Sequence, residues 1–508
     1  MKMGRPAAPA LLVFVLMLVP TLVLASADPA IKDLPNRIAA VEALNEQINQ
    51  AAEKTTKQDW AAALPLLKAI IKAPAFEDLP AERRHLLLRG ASGVALKLDD
   101  LKIAQTYSKR ATAFPNATSV DWWLRFYASF DLGDIPDAAV ALTQIAKQAP
   151  NELGDIKESN VFFRMFNELK RSPTPQYFDL LEALYAANWK VDGQIEPSYQ
   201  WRDYALALLE RGRKQEAKHV TPRIKRPSVL ISMRVDKRFD EIVKSAPDMF
   251  NIDKAVDADI ADLRGFVLKN PRSMQSVIEL TYALLKARRY DEVLSLTDSV
   301  VQKANGKSAY DDPDRLIWIL NNRAIALGGL GRRDEELELL IRAARHPEHG
   351  ESNVSQAINL GQFYCDLGRP KDALFTVLDV QNTSPYGRLQ VEIVHLCAAV
   401  QLGDKHAADS ALDYIKAHQA DSPKTYESAL IDAEDFNGAA ALLIQRLNDP
   451  STRSDALLEV QNFSDPTDLP QTAKSLANFR AVVDREEVQK TINKFGRMES
   501  FQLRSDFP

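Results

Sequence analysis

Cysteine is almost absent. Cys365 and Cys397 are the only two in 508 residues, too few for the disulfide framework that holds small extracellular domains together. Stability must come from a buried core, and the low count suits a bacterial periplasm better than an animal secretory pathway. Burial as two free thiols is the simpler expectation, and a bridge between them is the alternative. Histidine is scarce as well, at seven. The nearest approach to a metal cluster is His346-Pro347-Glu348-His349 with Glu351. Pro347 interrupts the helix that would align the imidazoles, so a solvated loop is expected. Asp311, Asp312 and Asp314 lack the glycine and distal glutamate of a calcium loop and read as acids opposing a helix dipole at its N-terminus. No phosphate-cradling glycine loop, Gly-x-Ser-x-Gly elbow, His-Glu-x-x-His or Cys-x-x-Cys occurs. The sequence therefore implies no catalytic residue, no cofactor and no metal site. An enzyme with dispersed residues is the one catalytic class that would leave no such mark.

Long apolar runs are missing except at the start. Lys2 and Arg5 precede the apolar stretch from Ala10 to Leu24, and Ala25-Ser26-Ala27 has the small-x-small pattern that signal peptidase cuts. The run falls short of the roughly 20 residues a spanning helix needs. We expect a signal peptide over 1–27, a mature chain from Asp28, a periplasmic or secreted location, no lipid anchor at the cut and no integral membrane span. An excess of positive charge is also missing: 64 Lys and Arg stand against 69 Asp and Glu, for a net charge of −5. Loss of Lys2 and Arg5 takes this to −7. Nucleic acid is disfavoured as a partner, because its phosphate backbone asks for a basic face.

What the chain does have is a recurring turn. Gly133, Gly212, Gly331, Gly368 and Gly403 are each followed by Asp or Arg, and five residues beyond stand Ala138, Ala217, Glu336, Ala373 and Ala408. A glycine that ends one helix and re-aims the chain into another, at fixed offset, marks stacked helical hairpins. The best unit runs from Asn353 to Pro385. Ile358, Leu360, Gly361 and Tyr364 lie at helical spacing, Leu367-Gly368-Arg369 closes the first helix, and Pro370 opens the second where no N–H donor is needed. Ala373, Leu374, Val377, Leu378 and Val380 continue the stripe. Gly361 and Ala373 are expected where the two helices approach most closely.

The pattern Leu360-Gly361-x-x-Tyr364, Gly368, Ala373 and Pro385 resembles the tetratricopeptide repeat, a helix–turn–helix unit of about 34 residues. In the first half, Trp60-Ala61-Ala62-Ala63, Leu67, Ile70 and Pro74 are echoed by Leu101-Lys102-Ile103-Ala104, Ser108, Ala111 and Pro115 at a constant shift of 41 residues. The resemblance implies an all-α solenoid of stacked hairpins that binds segments of other proteins in a concave groove. Its spacings are irregular and helix-opening tryptophans are mostly missing, so the repeats are divergent.

The expected organisation is a signal peptide (1–27), an N-terminal helical array (28–218), a basic joint (219–250), a C-terminal array (251–450) and a helical C-terminal cap (451–508), with one last amphipathic helix carrying Val482, Val483, Val488, Ile492 and Phe495. Between Arg211 and Arg238 ten basic residues face only Glu216 and Asp236. This stretch reads as an anion-facing patch centred on Arg223, Lys225 and Arg226, or as a solvated run paired with neighbouring acids. Trp123, Phe126, Tyr127 and Phe130 fall on one helical stripe, which favours core packing, while Trp122 lies off it and is expected to be exposed. The candidate groove residues are Trp122, Tyr127, Arg323 and Tyr364. The leading expectation is a non-enzymatic, exported scaffold that binds other envelope proteins. The alternative is an accessory protein of polysaccharide export that binds an acidic polymer.

Overall fold

The structure, a computed structural model, describes residues 34–155, 159–171, 175–191, 195–304, 310–346, 353–381, 383–465 and 468–505. The candidate signal peptide over 1–27 lies outside the described residues, as do Pro347, Glu348, His349 and Glu351. The chain is all-α, its helices paired into stacked helix–turn–helix hairpins of tetratricopeptide-like form. It packs as two compact units, the first closing at Arg211 and the second opening at Gly212.

In the first unit α1 (Leu34–Thr56) pairs with α2 (Trp60–Lys72), α3 (Ala81–Lys97) with α4 (Leu101–Ala111), and α5 (Ser119–Leu132) with α6 (Ile135–Gln148). They are followed by α7 (Ser159–Arg171), α8 (Pro175–Ala186) and α9 (Ser198–Glu210). The 41-residue echo therefore relates α2 to α4, the second helices of consecutive hairpins.

The second unit begins with the short helices α10 (Lys214–Val220), α11 (Pro227–Val235) and α12 (Asp240–Ser245), then α13 (Ile252–Lys269). Its hairpins are α14 (Met274–Lys286) with α15 (Tyr290–Ala304), α16 (Leu316–Gly329) with α17 (Arg333–Ala344), and α18 (Val354–Asp366) with α19 (Pro370–Val377). After them come α20 (Pro385–Leu402) with α21 (Lys405–Ala417), and α22 (Pro423–Asp432) with α23 (Phe436–Asn448). The unit closes with α24 (Arg453–Glu459), α25 (Pro470–Val483) and α26 (Glu486–Phe495), and with two short parallel strands, β1 (Asn462–Phe463) and β2 (Ser500–Phe501).

One turn makes these hairpins. All five marked glycines have positive φ, between 70° and 84°, a region open to glycine without a Cβ penalty. At Gly133 the residue's own N–H donates to Phe130 O and that of Asp134 donates to Ser129 O. This pair of bonds satisfies carbonyls the helix end would leave orphaned. Asp134 then caps α6, its carboxylate accepting from the N–H of Asp137. The same geometry recurs where no glycine stands: Gln58, Asp99, Asn188, Arg288 and Glu434 also have positive φ, between 52° and 62°. Asp59, Asp100 and Asp435 follow three of them and cap α2, α4 and α23. The fourth residue of the second helix meets its partner helix: Ala63, Ala104, Ala138, Ala373 and Ala439 are fully buried. A Cβ on Gly361 would lie 3.2 Å from the methyls of Val377 and Val394, so this glycine permits a close approach. Glu336 occupies the small-residue position in its hairpin, and Gly328 opposite makes room, since a Cβ there would run into the Glu336 carboxylate.

The stretch anticipated as a basic joint is folded into the second unit. Val229, Leu230, Ile231, Met233 and Val235 of α11 are buried, and α11 packs on α24. Buried Asp236 pairs with Arg238 at 2.7 Å and accepts from the hydroxyl of Ser454 at 2.8 Å. Arg497 donates to Arg234 O at 2.6 Å and pairs with Asp240 at 2.6 Å. The last residues of the unit thus close onto its first. The single C-terminal helix expected from the sequence is two: Val482 and Val483 end α25, and Val488, Ile492 and Phe495 lie on α26.

The turn makes a two-sided test. Gly368→Ala places a Cβ in a left-handed conformation and is expected to cost about 1 kcal/mol. Arg288→Gly relieves the same strain and is expected to raise stability by roughly 0.5–1 kcal/mol. Urea unfolding midpoints of the two variants should move in opposite directions.

Candidate functional site

In the second unit the C-terminal segment lies against the hairpins. α25 packs on α18, α22 and α23, and its two halves are held differently. Phe479, Val482 and Val483 in the second half are buried in the core. The first half carries no buried residue and is fastened by polar contacts. Just ahead of it, Asp468 receives two bonds from Arg333, at 2.7 and 2.5 Å. The hydroxyl of Ser475 donates to Asp432 at 2.7 Å, Gln471 also bonds Asp432, and Thr472 donates to Asp366. Lys474 pairs with Glu434 at 2.8 Å.

Between α18, α20, α22 and α25 this leaves a cavity of about 220 Å³. Its walls include Asp366, Asp432, Gln362, Gln390 and Thr425, with both cysteines at one side. Burial pushes the Asp366 carboxyl up to about 6, against the opposing effects of the Thr472 hydroxyl and Arg333, and the Asp432 charge nearby adds to the rise. Burial raises Asp432 as well. Both stand two residues before a left-handed turn, at Gly368 and Glu434, where the helix macrodipole disfavours a carboxylate. Neither forms an ion pair among the described residues. Glu336, bonded to Arg333, is pushed up by burial to about 7. Arg333 therefore joins a buried acid of the hairpins to Asp468 of the returning segment.

Cys365 and Cys397 are both free and buried. The Cys365 thiol donates to Val394 O at 3.8 Å, and Gln401 donates to the Cys397 sulfur at 3.2 Å. The hydrogen bond between the two thiols, together with burial, pushes the Cys397 thiol strongly up. The Cys397 thiol is a poor nucleophile in this state.

The residues singled out from the sequence lie elsewhere. Trp123, Phe126 and Phe130 are buried, with Tyr127 stacked on Trp123 at 5.6 Å between ring centres. Trp122, expected to be exposed, is half-buried beneath Arg125 and its enclosed indole N–H meets no acceptor among the described residues. Arg323 is engaged with α15, donating to Leu294 O at 3.0 Å and pairing with Asp298 at 2.7 Å. The Tyr364 ring lies under Arg369 at 4.7 Å and packs beside the core. None of the four lines the cavity. In the basic stretch, Arg213, Lys214, Lys218, Arg226, Arg234 and Arg238 all sit in ion pairs, Arg226 with Glu279 and Lys214 with Glu241. Arg223 and Lys225 likewise have interactions of their own.

Sequence reasoning missed Asp366, Asp432, Arg333 and the whole polar face of α25. The available signal was the pair of acids at helix C-termini, an unfavourable place that secondary structure alone does not explain.

No family model and no curated protein matches the sequence. Among solved structures, the chain is similar to a Rap protein complexed with competence and sporulation factor, at 12% identity and a TM-score of 0.30, covering 89% of this chain and 99% of that one. Yeast Tom70 gives 11% identity and a TM-score of 0.29, over 89% and 99% of the two chains. A human IFIT1 dimer with m7Gppp-AAAA gives 13% and 0.30, over 92% and 96%. Likeness this distant carries no conclusion about function.

Among the described residues no helix is long and apolar enough to cross a membrane, and no group of His, Cys, Asp and Glu is arranged to hold a metal.

The raised acid gives a pH test. A carboxyl whose folded pKa lies above its unfolded value stabilises the fold while protonated, at low pH, and that contribution is lost as pH rises through the folded value. Asp366→Asn should flatten the decline in stability between about pH 4 and 6 and leave the variant more stable than the parent by roughly 1–3 kcal/mol at pH 8. Chemical denaturation across this range reads the difference.

Proposed function

We propose that this protein is a non-enzymatic scaffold of the bacterial cell envelope, exported by the leader over 1–27, which holds a segment of another envelope protein against the hairpins of its second unit. The observation that carries this reading is the polar wall formed by α18, α20 and α22, which already holds one helix by side-chain contacts. A stack of rigid hairpins presents such side chains pre-organised, so little ordering entropy is lost on binding. Binding of an acidic polysaccharide loses its main support, because most of the basic stretch is engaged with acids of the second unit.

A photo-crosslinking residue at Gln390, on the cavity wall, should give a discrete adduct with an envelope protein in the living cell. The same residue at Phe375, on the opposite helix of a hairpin and largely exposed, should not. The absence of any adduct from Gln390, or an identical pattern from both positions, would contradict the proposal. N-terminal sequencing of the exported form should begin at Asp28, and a chain retaining Met1 would remove the envelope assignment.

A further inference from the structure

The resident helix is a poor match for the wall it covers. Asp366 and Asp432 receive only neutral donors from it: the hydroxyls of Thr472 and Ser475 and the amide of Gln471. A carboxylate bonded to a cation gains roughly twice what it gains from a neutral donor. The helix also underfills its seat, because the cavity of about 220 Å³ opens beside Gln471, Thr472 and Ser475. Thr472 and Ser475 are one turn apart on α25 and face the same way. Longer side chains at those two places would enter the cavity and reach both acids. Finally, this half of α25 contributes no buried residue, whereas Phe479, Val482 and Val483 anchor the other half independently. Leu469, just ahead of it, packs partly buried against Leu340, Leu360 and Phe363, so lifting this half gives up that one apolar contact and leaves the Phe479, Val482 and Val483 anchor in place.

We infer that the first half of α25 is an exchangeable occupant, and that the groove it covers takes a basic helical segment of a partner protein, with Lys or Arg one turn apart seated on Asp366 and Asp432. The resident contacts define the rest of the pattern. Asp468 meets Arg333 four residues ahead of Thr472, so the incoming helix carries an acid one turn before its first cation. An isolated basic helix would also compete against a tethered occupant at high effective concentration. The resident segment thereby sets a threshold that selects the strongest matches. This inference rests on the scaffold reading and adds the chemistry of the partner.

The test uses the full mature chain and a labelled synthetic peptide spanning Asp468 to Val483 with Thr472→Lys and Ser475→Lys, compared with the unmodified peptide by fluorescence anisotropy. The lysine peptide should bind at least tenfold more tightly, and Asp468→Ala in the protein, which loosens the resident segment, should strengthen its binding further. The Asp366→Asn, Asp432→Asn double variant should abolish the preference. Equal binding of the two peptides, or a preference that survives in the double variant, overturns the inference. So does spermidine binding that depends on both acids while the lysine peptide does not bind, which would assign the cavity to a small amine. A second arm needs no partner: Thr472→Lys with Ser475→Lys in the chain itself should raise the unfolding midpoint only when both acids are present, and a lowered midpoint counts against it. If these arms fail while Gln390 still crosslinks to an envelope protein, the scaffold stands and only the basic helix is lost.

Discussion

The structure depends on how closely two helices are brought together by a connection of two or three residues. A left-handed residue ends the first helix and a capping residue starts the second, so the chain reverses with its terminal backbone groups already bonded. With so short a link the axes must approach at the fourth residue of the second helix. The side chain there decides the spacing, and alanine at Ala63, Ala104, Ala138, Ala373 and Ala439 leaves no room for solvent or slack. Glu336 shows how the constraint is met when the side chain is large: Gly328 supplies the missing space, and Arg333 bonds the enclosed carboxyl.

Much of this was legible in the sequence because glycine and alanine at fixed offset have a mechanical meaning. Gly133, Gly331, Gly368 and Gly403 announced their turns. The turns at Gln58, Asp99, Asn188, Arg288 and Glu434 were less visible, since nothing in those side chains requires a left-handed backbone. There the flanking helices impose the conformation, and only Asp59, Asp100 and Asp435 as caps hinted at it. Burial of the aromatic stripe through Trp123, Phe126 and Phe130 also followed from spacing, whereas the enclosure of Trp122 depends on Arg125 and could not.

The candidate site was hidden for a different reason. Its groups come from segments far apart in the chain: Arg333 and Asp468, Asp366 and Thr472, Asp432 and Ser475. Periodicity reports which face of a helix is buried, but not that a later helix returns to cover an earlier wall. For the same reason the basic run from Arg211 to Arg238 could be read either as an anion-facing patch or as a run paired with neighbouring acids, and the sequence could not name those acids. Its charges are balanced by Glu241, Glu279 and Glu499, the last more than 250 positions away from Arg234. Local charge density does not identify the partners, because the second unit closes its end onto its beginning.

The claim on which the account rests is the closeness of the paired helices, and the most direct measurement is the urea unfolding of chains enlarged at the crossing. Ala138→Leu in the first unit and Ala373→Leu in the second should each lose about 1–3 kcal/mol while the far-UV circular dichroism stays helical. Unchanged stability in both would mean that the helices do not meet there, and the hairpin architecture would fall with it.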